Sequence, residues 1–209
     1  MPSFQKPPTV SDDYRAVDIY RKAAKVIFGK GFTATSMGDI ADAVDLTKGG
    51  LYYYIKGKEA LLFAIMSFAL DLLDNEILPA RRLDDPHARL QAMLSGHLRV
   101  VLRDPSAMTI LIDEEEHLGA DHRKIILTRK TAYTDALRAT VAEVLSCTQG
   151  VPGPVIDPQV AAQSFIGMIH WAVRWYDGPE SDQGYARAAE QITRLALGGL
   201  AGSEPGRPS

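Results

Sequence analysis

Cysteine is nearly missing from this 209-residue chain: Cys147 stands alone, so no internal disulfide can form. No Cys-x-x-Cys pair or Cys/His metal-ligand spacing occurs either, and a single thiol fits a reducing compartment. The opening MPSFQKPPTVSDDY has no apolar core behind a basic start, so no secretory signal is visible. No uncharged apolar run approaches the roughly 18 residues of a membrane span. The expectation is a cytoplasmic protein with no membrane partner. Alternating β-branched runs are absent, which removes support for strands. No Gly-x-Ser-x-Gly elbow, Walker loop or dinucleotide fingerprint appears, so an enzyme reading is weak and no cofactor is expected. A strong positive charge is also lacking, because the net charge is -3.

What is present is ordinary globular composition, with 46% hydrophobic and 23% charged residues. The charge is uneven along the chain. Residues 1–57 carry eight Lys and Arg against six Asp, whereas the remainder is acidic. Such asymmetry can mark a nucleic-acid-binding end, although this bias is mild. Apolar residues recur at helical spacing almost throughout. Helices are predicted over 11–31, 36–44, 47–55, 58–78, 86–103, 105–118, 123–147, 158–176 and 183–200, an all-α chain of about nine helices. Glycines 29 and 31 and Pro79 supply stops, and prolines near three starts suit a first turn. Domain expectations follow: a disordered tail over 1–10, a helix-turn-helix DNA-binding domain over 11–57, a ligand-binding and dimerisation domain over 58–201, and a disordered tail over 202–209.

Residues 31–62, GFTATSMGDIADAVDLTKGGLYYYIKGKEALL, carry the most information. Ser36 followed three residues later by Asp39 has capping-box spacing and fixes the start of a short helix. Met37, Ile40, Ala41 and Val44 give that helix one apolar face. Asp45 falls in the turn, where a positive φ is expected and Asp tolerates it. Thr47 then caps a second short helix, whose buried side is Leu51 and Ile55. Its other side presents Lys48, Gly49, Gly50, Tyr52, Tyr53 and Tyr54, followed by Lys56 and Lys58. Successive helical residues point about 100° apart, so the three tyrosines cannot all pack inward. A cationic start, bare glycine backbone and phenol hydroxyls suit a major groove, with Lys48 in reach of guanine acceptors. The plainer alternative is core aromatics beside a solvated basic face.

This segment resembles the DNA-binding region of TetR/AcrR-type transcriptional regulators: Gly-aromatic, a Thr/Ser pair, Asp-Ile-Ala, Lys-Gly, Leu-Tyr and Lys-Glu-x-Leu stand in family order. The resemblance implies a homodimer whose recognition helices enter successive major grooves of a near-palindromic double-stranded operator. By position it assigns DNA contact to Thr35, Ser36, Thr47, Lys48, Gly49, Tyr52, Tyr53, Tyr54 and Lys58. This chain departs from the family at Gly38, where relatives often bear a long side chain, and at Gly50, Asp45 and Ile55, in place of Thr/Ser, Gly and Phe. Gly50 also costs roughly 1 kcal/mol of helix propensity against Ala.

The C-terminal run FIGMIHWAVRWYDGP, residues 165–179, is similar to a TetR subgroup associated with acyl-CoA effectors, as is the acidic LIDEEEHLGADHRK of residues 111–124. The resemblance implies dimerisation through the last two helices, release of a repressor by a small molecule, and an acyl-CoA as that effector. Met93, Leu98, Met108, Ile112, Tyr133, Phe165, Met168, Ile169 and Trp171, with Leu94 and Leu137, are candidates to line an apolar cavity, and Arg174 to border it. For any one of them, a place in the packed core is the plainer and more frequent reading. Arg99, Arg103, Arg123, Lys124 and Arg129 are candidate CoA contacts. Glu114 and His117 share a helix face, but a carboxylate-bridged metal site needs two Glu-x-x-His motifs, so no metal is expected. The acidic cluster reads instead as surface, paired with Arg174. Two rivals stay open: the same fold answering to a drug or aromatic metabolite, and an α-helical enzyme or interaction module.

Overall fold

The computed structural model describes residues 14–147 and 156–200, and the tails expected over 1–10 and 202–209 lie outside them. Among the described residues all regular structure is helical: α1 (Tyr14–Lys30), α2 (Met37–Ala43), α3 (Lys48–Tyr54), α4 (Lys58–Ile77), α5 (Pro86–Arg103), α6 (Pro105–Asp113), α7 (Ala120–Cys147), α8 (Pro158–Ala172) and α9 (Asp182–Leu200). Single 3-10 turns follow α4 at Ala80–Arg82 and α6 at Glu115–His117.

Two ends fall short of expectation. The helix predicted to reach 118 stops at Asp113, where Glu114 leaves helical geometry with φ −110 and ψ 12. Bonds from His117 N–H to Glu114 C=O and from Leu118 N–H to Glu115 C=O then tighten the chain, and Leu118 is buried. The helix predicted to reach 176 ends at Ala172, and the N–H groups of Arg174 and Trp175 close three-residue turns on Trp171 and Ala172 C=O.

The chain forms two compact units. The first contains residues 14–74 and 104–130, so α6 and the start of α7 pack with the N-terminal helices rather than with what precedes them. Ile19, Ala23, Ala24 and Ile27 of α1, Ile40 and Ala41 of α2, Leu51 of α3 and Leu61, Leu62 and Ile65 of α4 are buried in it. Alpha-1 lies against α2 and α6. Arg21 holds Asp104 through two bonds, Nε at 2.7 Å and Nη2 at 3.3 Å. Asp104 stands at the N-cap of α6, yet its carboxylate makes no capping bond there. The forked guanidinium takes both oxygens instead.

The second unit contains residues 75–103, 131–147 and 156–200. Alpha-5 packs on α8 and α9 and on the turn at Ala80–Arg82. Leu90, Met93, Leu94, Leu98, Leu137, Val141, Ala162, Ile169 and Ala189 are all buried. Gly96 permits a close crossing: a Cβ there would stand 3.3 Å from Glu76 Cγ and 3.5 Å from Ile77 Cγ2. Arg99 clasps the same Glu76, with Nη2 2.6 Å from Oε1.

Candidate DNA-reading face and effector core

Alpha-2 begins on a complete capping box. Asp39 N–H donates to Ser36 Oγ at 3.1 Å, and Ser36 N–H donates to the Asp39 carboxylate at 2.8 Å. Lys30 Nζ also donates to Asp39, at 2.6 Å. That lysine bond first, and the Ser36 bonds second, hold the Asp39 carboxyl well below the usual carboxylate range. After Val44 the chain turns through Asp45 at φ 55, and Leu46 N–H returns to Ala41 C=O at 2.9 Å. This six-residue return closes the end of α2 and sets where α3 starts.

Thr47 caps α3, its Oγ1 accepting from Gly50 N–H at 3.1 Å. Leu51 and Ile55 face the core at 0% and 6% exposure, while Tyr52, Tyr53 and Tyr54 stand out at 48%, 82% and 41%. All three phenols therefore lie on the outer side of this helix or its shoulders. Tyr53 and Tyr54 meet edge to face at 5.3 Å, and Arg15 lies 5.9 Å from the Tyr54 ring centroid. A Cβ on Gly38 would come 3.0 Å from Lys48 Cε. The small residue thus lets the Lys48 stem lie across α2, where a longer side chain would collide with it.

Besides the capping residues Ser36 and Thr47, two further residues assigned to DNA contact have partners within the protein. Thr35 is 2% exposed; its hydroxyl donates to Gly31 C=O at 2.8 Å, and its N–H donates to Phe32 C=O. Lys58 Nζ donates to Thr33 C=O at 3.1 Å and sits 4.4 Å from the Phe32 ring centroid. Both buttress the loop ahead of α2. Ser36, Thr47, Lys48 and Gly49 are exposed beside the tyrosines.

Four of the residues assigned to the effector line one small cavity of the second unit. Leu98, Phe165, Met168 and Ile169, with Leu94, Ile192, Thr193 and Ala196, line a cavity of about 10 Å³. Met93 is buried nearby on α5 and takes the Thr140 hydroxyl at 3.7 Å. Met108 and Ile112 belong to the first unit. Trp171 is 62% exposed on α8, and Arg174 lies over its ring at 5.8 Å. The acidic cluster finds partners on α7: Lys130 donates to Glu115 at 2.7 Å and Arg123 at 3.4 Å. The Lys130 bond is the main reason the Glu115 carboxyl is lowered. His117 lies 3.3 Å from Glu114, and no metal-holding cluster occurs among the described residues. Several candidate CoA contacts are already ion-paired: Arg99 with Glu76, Arg129 with Asp71 and Asp74, and Arg103 with Asp182.

Helical spacing alone did not single out His97. It is 2% exposed, its Nδ1 lies 2.8 Å from Tyr133 Oη, and the His170 ring stands edge-on at 5.3 Å. Burial first, and His170 second, keep the imidazole well below the usual histidine range. Burial likewise raises the Tyr133 phenol.

A short capped helix set by an αL turn against a second short helix, and turned outward with phenols and a lysine, is the architecture of helix-turn-helix DNA-binding proteins. Residues 19–65 match the family described as bacterial regulatory proteins, tetR family, and residues 83–200 match the tetracyclin repressor-like C-terminal domain. The chain belongs to the TetR family of transcriptional regulators, which are not enzymes. It is 30% identical over 190 residues to the HTH-type transcriptional repressor KstR2 of Rhodococcus jostii, covering 90% of this chain and 91% of that one. It is 35% identical, with a TM-score of 0.73, to AibR, whose structure was solved in complex with isovaleryl coenzyme A and operator DNA; the match covers 89% of this chain and 97% of AibR. The ketosteroid transcriptional regulator KstR2 of Mycobacterium tuberculosis shares the fold, with a TM-score of 0.79 at 21% identity over 93% of this chain and 98% of that one. No helix among the described residues is long and apolar enough to cross a membrane.

Proposed function

We propose that this regulator is a repressor that binds a near-palindromic operator as a homodimer and is released by an acyl-CoA. The outward face of α3 carries the reading: three exposed tyrosines and Lys48 on a helix whose back is sealed by Leu51. Ser36, Thr47, Lys48, Gly49 and the tyrosines contact the duplex, with Thr35 and Lys58 holding the loop behind them. Phosphate contacts fix the register, and Lys48 reads base edges. The DNA-binding domain spans 11–57 and the effector and dimer domain 58–201.

Dimerisation rests on a second surface. Val160, Met168 and Trp171 of α8 and Leu195 of α9 are 60%, 37%, 62% and 75% exposed, apolar side chains on the last two helices that a monomer would leave wet. Gly167 on α8 has nothing within 4 Å of a Cβ position, which leaves room for a partner helix. A dimer spaces two recognition helices by one duplex turn, about 34–36 Å. The acyl-CoA effector is supported by the similarity to AibR, solved with isovaleryl coenzyme A. The ligand shifts the dimer away from its DNA-bound form only by its differential affinity for the two states, typically about 1–3 kcal/mol of coupling.

The test is a titration of duplex DNA from immediately upstream of this gene, at fixed salt, with and without a panel of acyl-CoA esters. Specific binding weakened by one ester supports the reading. Specific binding indifferent to every ester keeps the regulator and removes the effector class.

A further inference from the structure

In the second unit, two buried polar atoms have no hydrogen-bond partner: His97 Nε2 and Thr193 Oγ1. Both residues are 2% exposed. Leaving such a group unpaired costs about 1–3 kcal/mol, so each calls for a partner that the described residues do not supply. Thr193 of α9 lines the small cavity, together with Leu94 and Leu98 of α5. His97 does not line it but sits between those two leucines in sequence, three residues after one and one before the other, on the same helix face as Leu94. Ile169, which also lines the cavity, precedes His170, and the His170 ring meets His97 edge-on.

The chemistry of the cluster selects the ligand. The Tyr133 phenol keeps its proton and can donate to His97 Nδ1 at 2.8 Å. That tautomer leaves an N–H at His97 Nε2, a donor with no acceptor, and the opposite tautomer leaves a lone pair there with no donor. The Thr193 hydroxyl is a second available donor. Neither carries charge, and the rest of the lining is Leu94, Leu98, Phe165, Met168, Ile169, Ile192 and Ala196. No cationic side chain lines the cavity itself, so a carboxylate or phosphate there would be buried at a high cost. An uncharged oxygen acceptor on an apolar chain meets both requirements.

We infer that His97 and Thr193 form a polar anchor, at the α5–α8–α9 cavity, for a carbonyl or hydroxyl oxygen borne by the apolar part of the effector. The inference rests on the acyl-CoA reading and sharpens it: the acyl group is an oxygenated one, not a plain saturated chain. The cavity of about 10 Å³ admits no more than a water, so ligand entry must part these helices. A site built to hydrogen-bond an oxygen rejects the congener lacking it far more strongly than an apolar slot rejects a methylene.

Isothermal titration of the full chain with pentanoyl- and octanoyl-coenzyme A, and with their β-hydroxy, γ-oxo and ω-hydroxy derivatives, tests this. One oxygenated ester is expected to bind at least ~100-fold tighter than the plain ester of equal length. In His97→Phe and in the near-isosteric Thr193→Val, that advantage should shrink to about 10-fold or less while plain-ester binding holds. Circular-dichroism melts report whether each variant folds, and Thr193→Val alone suffices if His97→Phe does not. Equal binding of plain and oxygenated esters by the wild type overturns the anchor but leaves an acyl-CoA regulator. An unchanged preference in the folded variants also overturns it. If no ester binds the wild type, the acyl-CoA reading falls and the anchor falls with it.

Discussion

The segment from Ser36 to Tyr54 and the α5–α8–α9 core are both helical, yet they are specified in different ways. In the first, each geometric decision is made by residues a few positions apart: Ser36 with Asp39, Ala41 with Leu46, Thr47 with Gly50. In the second, the decisive contacts join distant parts of the chain. His97 meets Tyr133 36 positions later, and Thr140 reaches Met93 across 47. The reading face is thus a locally determined object presented on a rigid back. The α5–α8–α9 core is a property of packing between distant parts of the chain.

The sharpest way to break that contrast is to remove the back of the face. Leu51 is fully buried, so Leu51→Ala should lower stability by roughly 2–5 kcal/mol and abolish operator binding, read by urea melts and DNA titration. If stability holds, α3 is not anchored as described. A change on the outer side of α8 probes the other region. Trp171→Glu places a charge on the exposed apolar surface, and should dissociate the dimer in sedimentation and weaken operator affinity ~100-fold or more through lost bivalency. A dimer that survives this change would move the interface elsewhere.

Lys48→Ala leaves the fold untouched and should cost about 1–3 kcal/mol of operator affinity if Lys48 reads a base. If it binds a phosphate instead, the loss is uniform across sequences and the salt slope falls by about one. Ser36→Ala removes one half of the capping box and should destabilise by ~1 kcal/mol. The last effect belongs to the core. His97 is held neutral in the fold, whereas the unfolded chain protonates it at about 6.5. Above that pH the two states bind protons equally at this site. Below it the unfolded state takes up more, so stability should fall toward acid by at most ~1.4 kcal/mol per pH unit. His97→Phe should flatten that decline between about pH 6.5 and 5.

The same contrast explains what could be read from the residues alone. Ser36, Asp45 and Thr47 announce caps and a turn within a few positions, and the structure has them there, with Asp45 at φ 55. Helix existence was equally legible, because apolar spacing is a local pattern. The ends of α6 and α8 were not: Leu118 is tucked in through a tightened turn that no cap or proline signals. Thr35 and Lys58 looked available because their partners, Gly31 and Thr33 carbonyls, are backbone atoms that a residue pattern does not display. Among the apolar candidates for an effector cavity, spacing cannot separate Trp171 on an outer face from Phe165 inside.

The central claim is that a dimer presents two α3 faces to one side of a duplex. Hydroxyl-radical footprinting of the wild type on its operator tests it most directly, with Lys48→Ala as the comparison. Two protected patches on one face of the duplex, centred about one helical turn apart, are expected, with their joint weakening in the variant. One isolated patch, or protection that Lys48→Ala leaves intact, would contradict it.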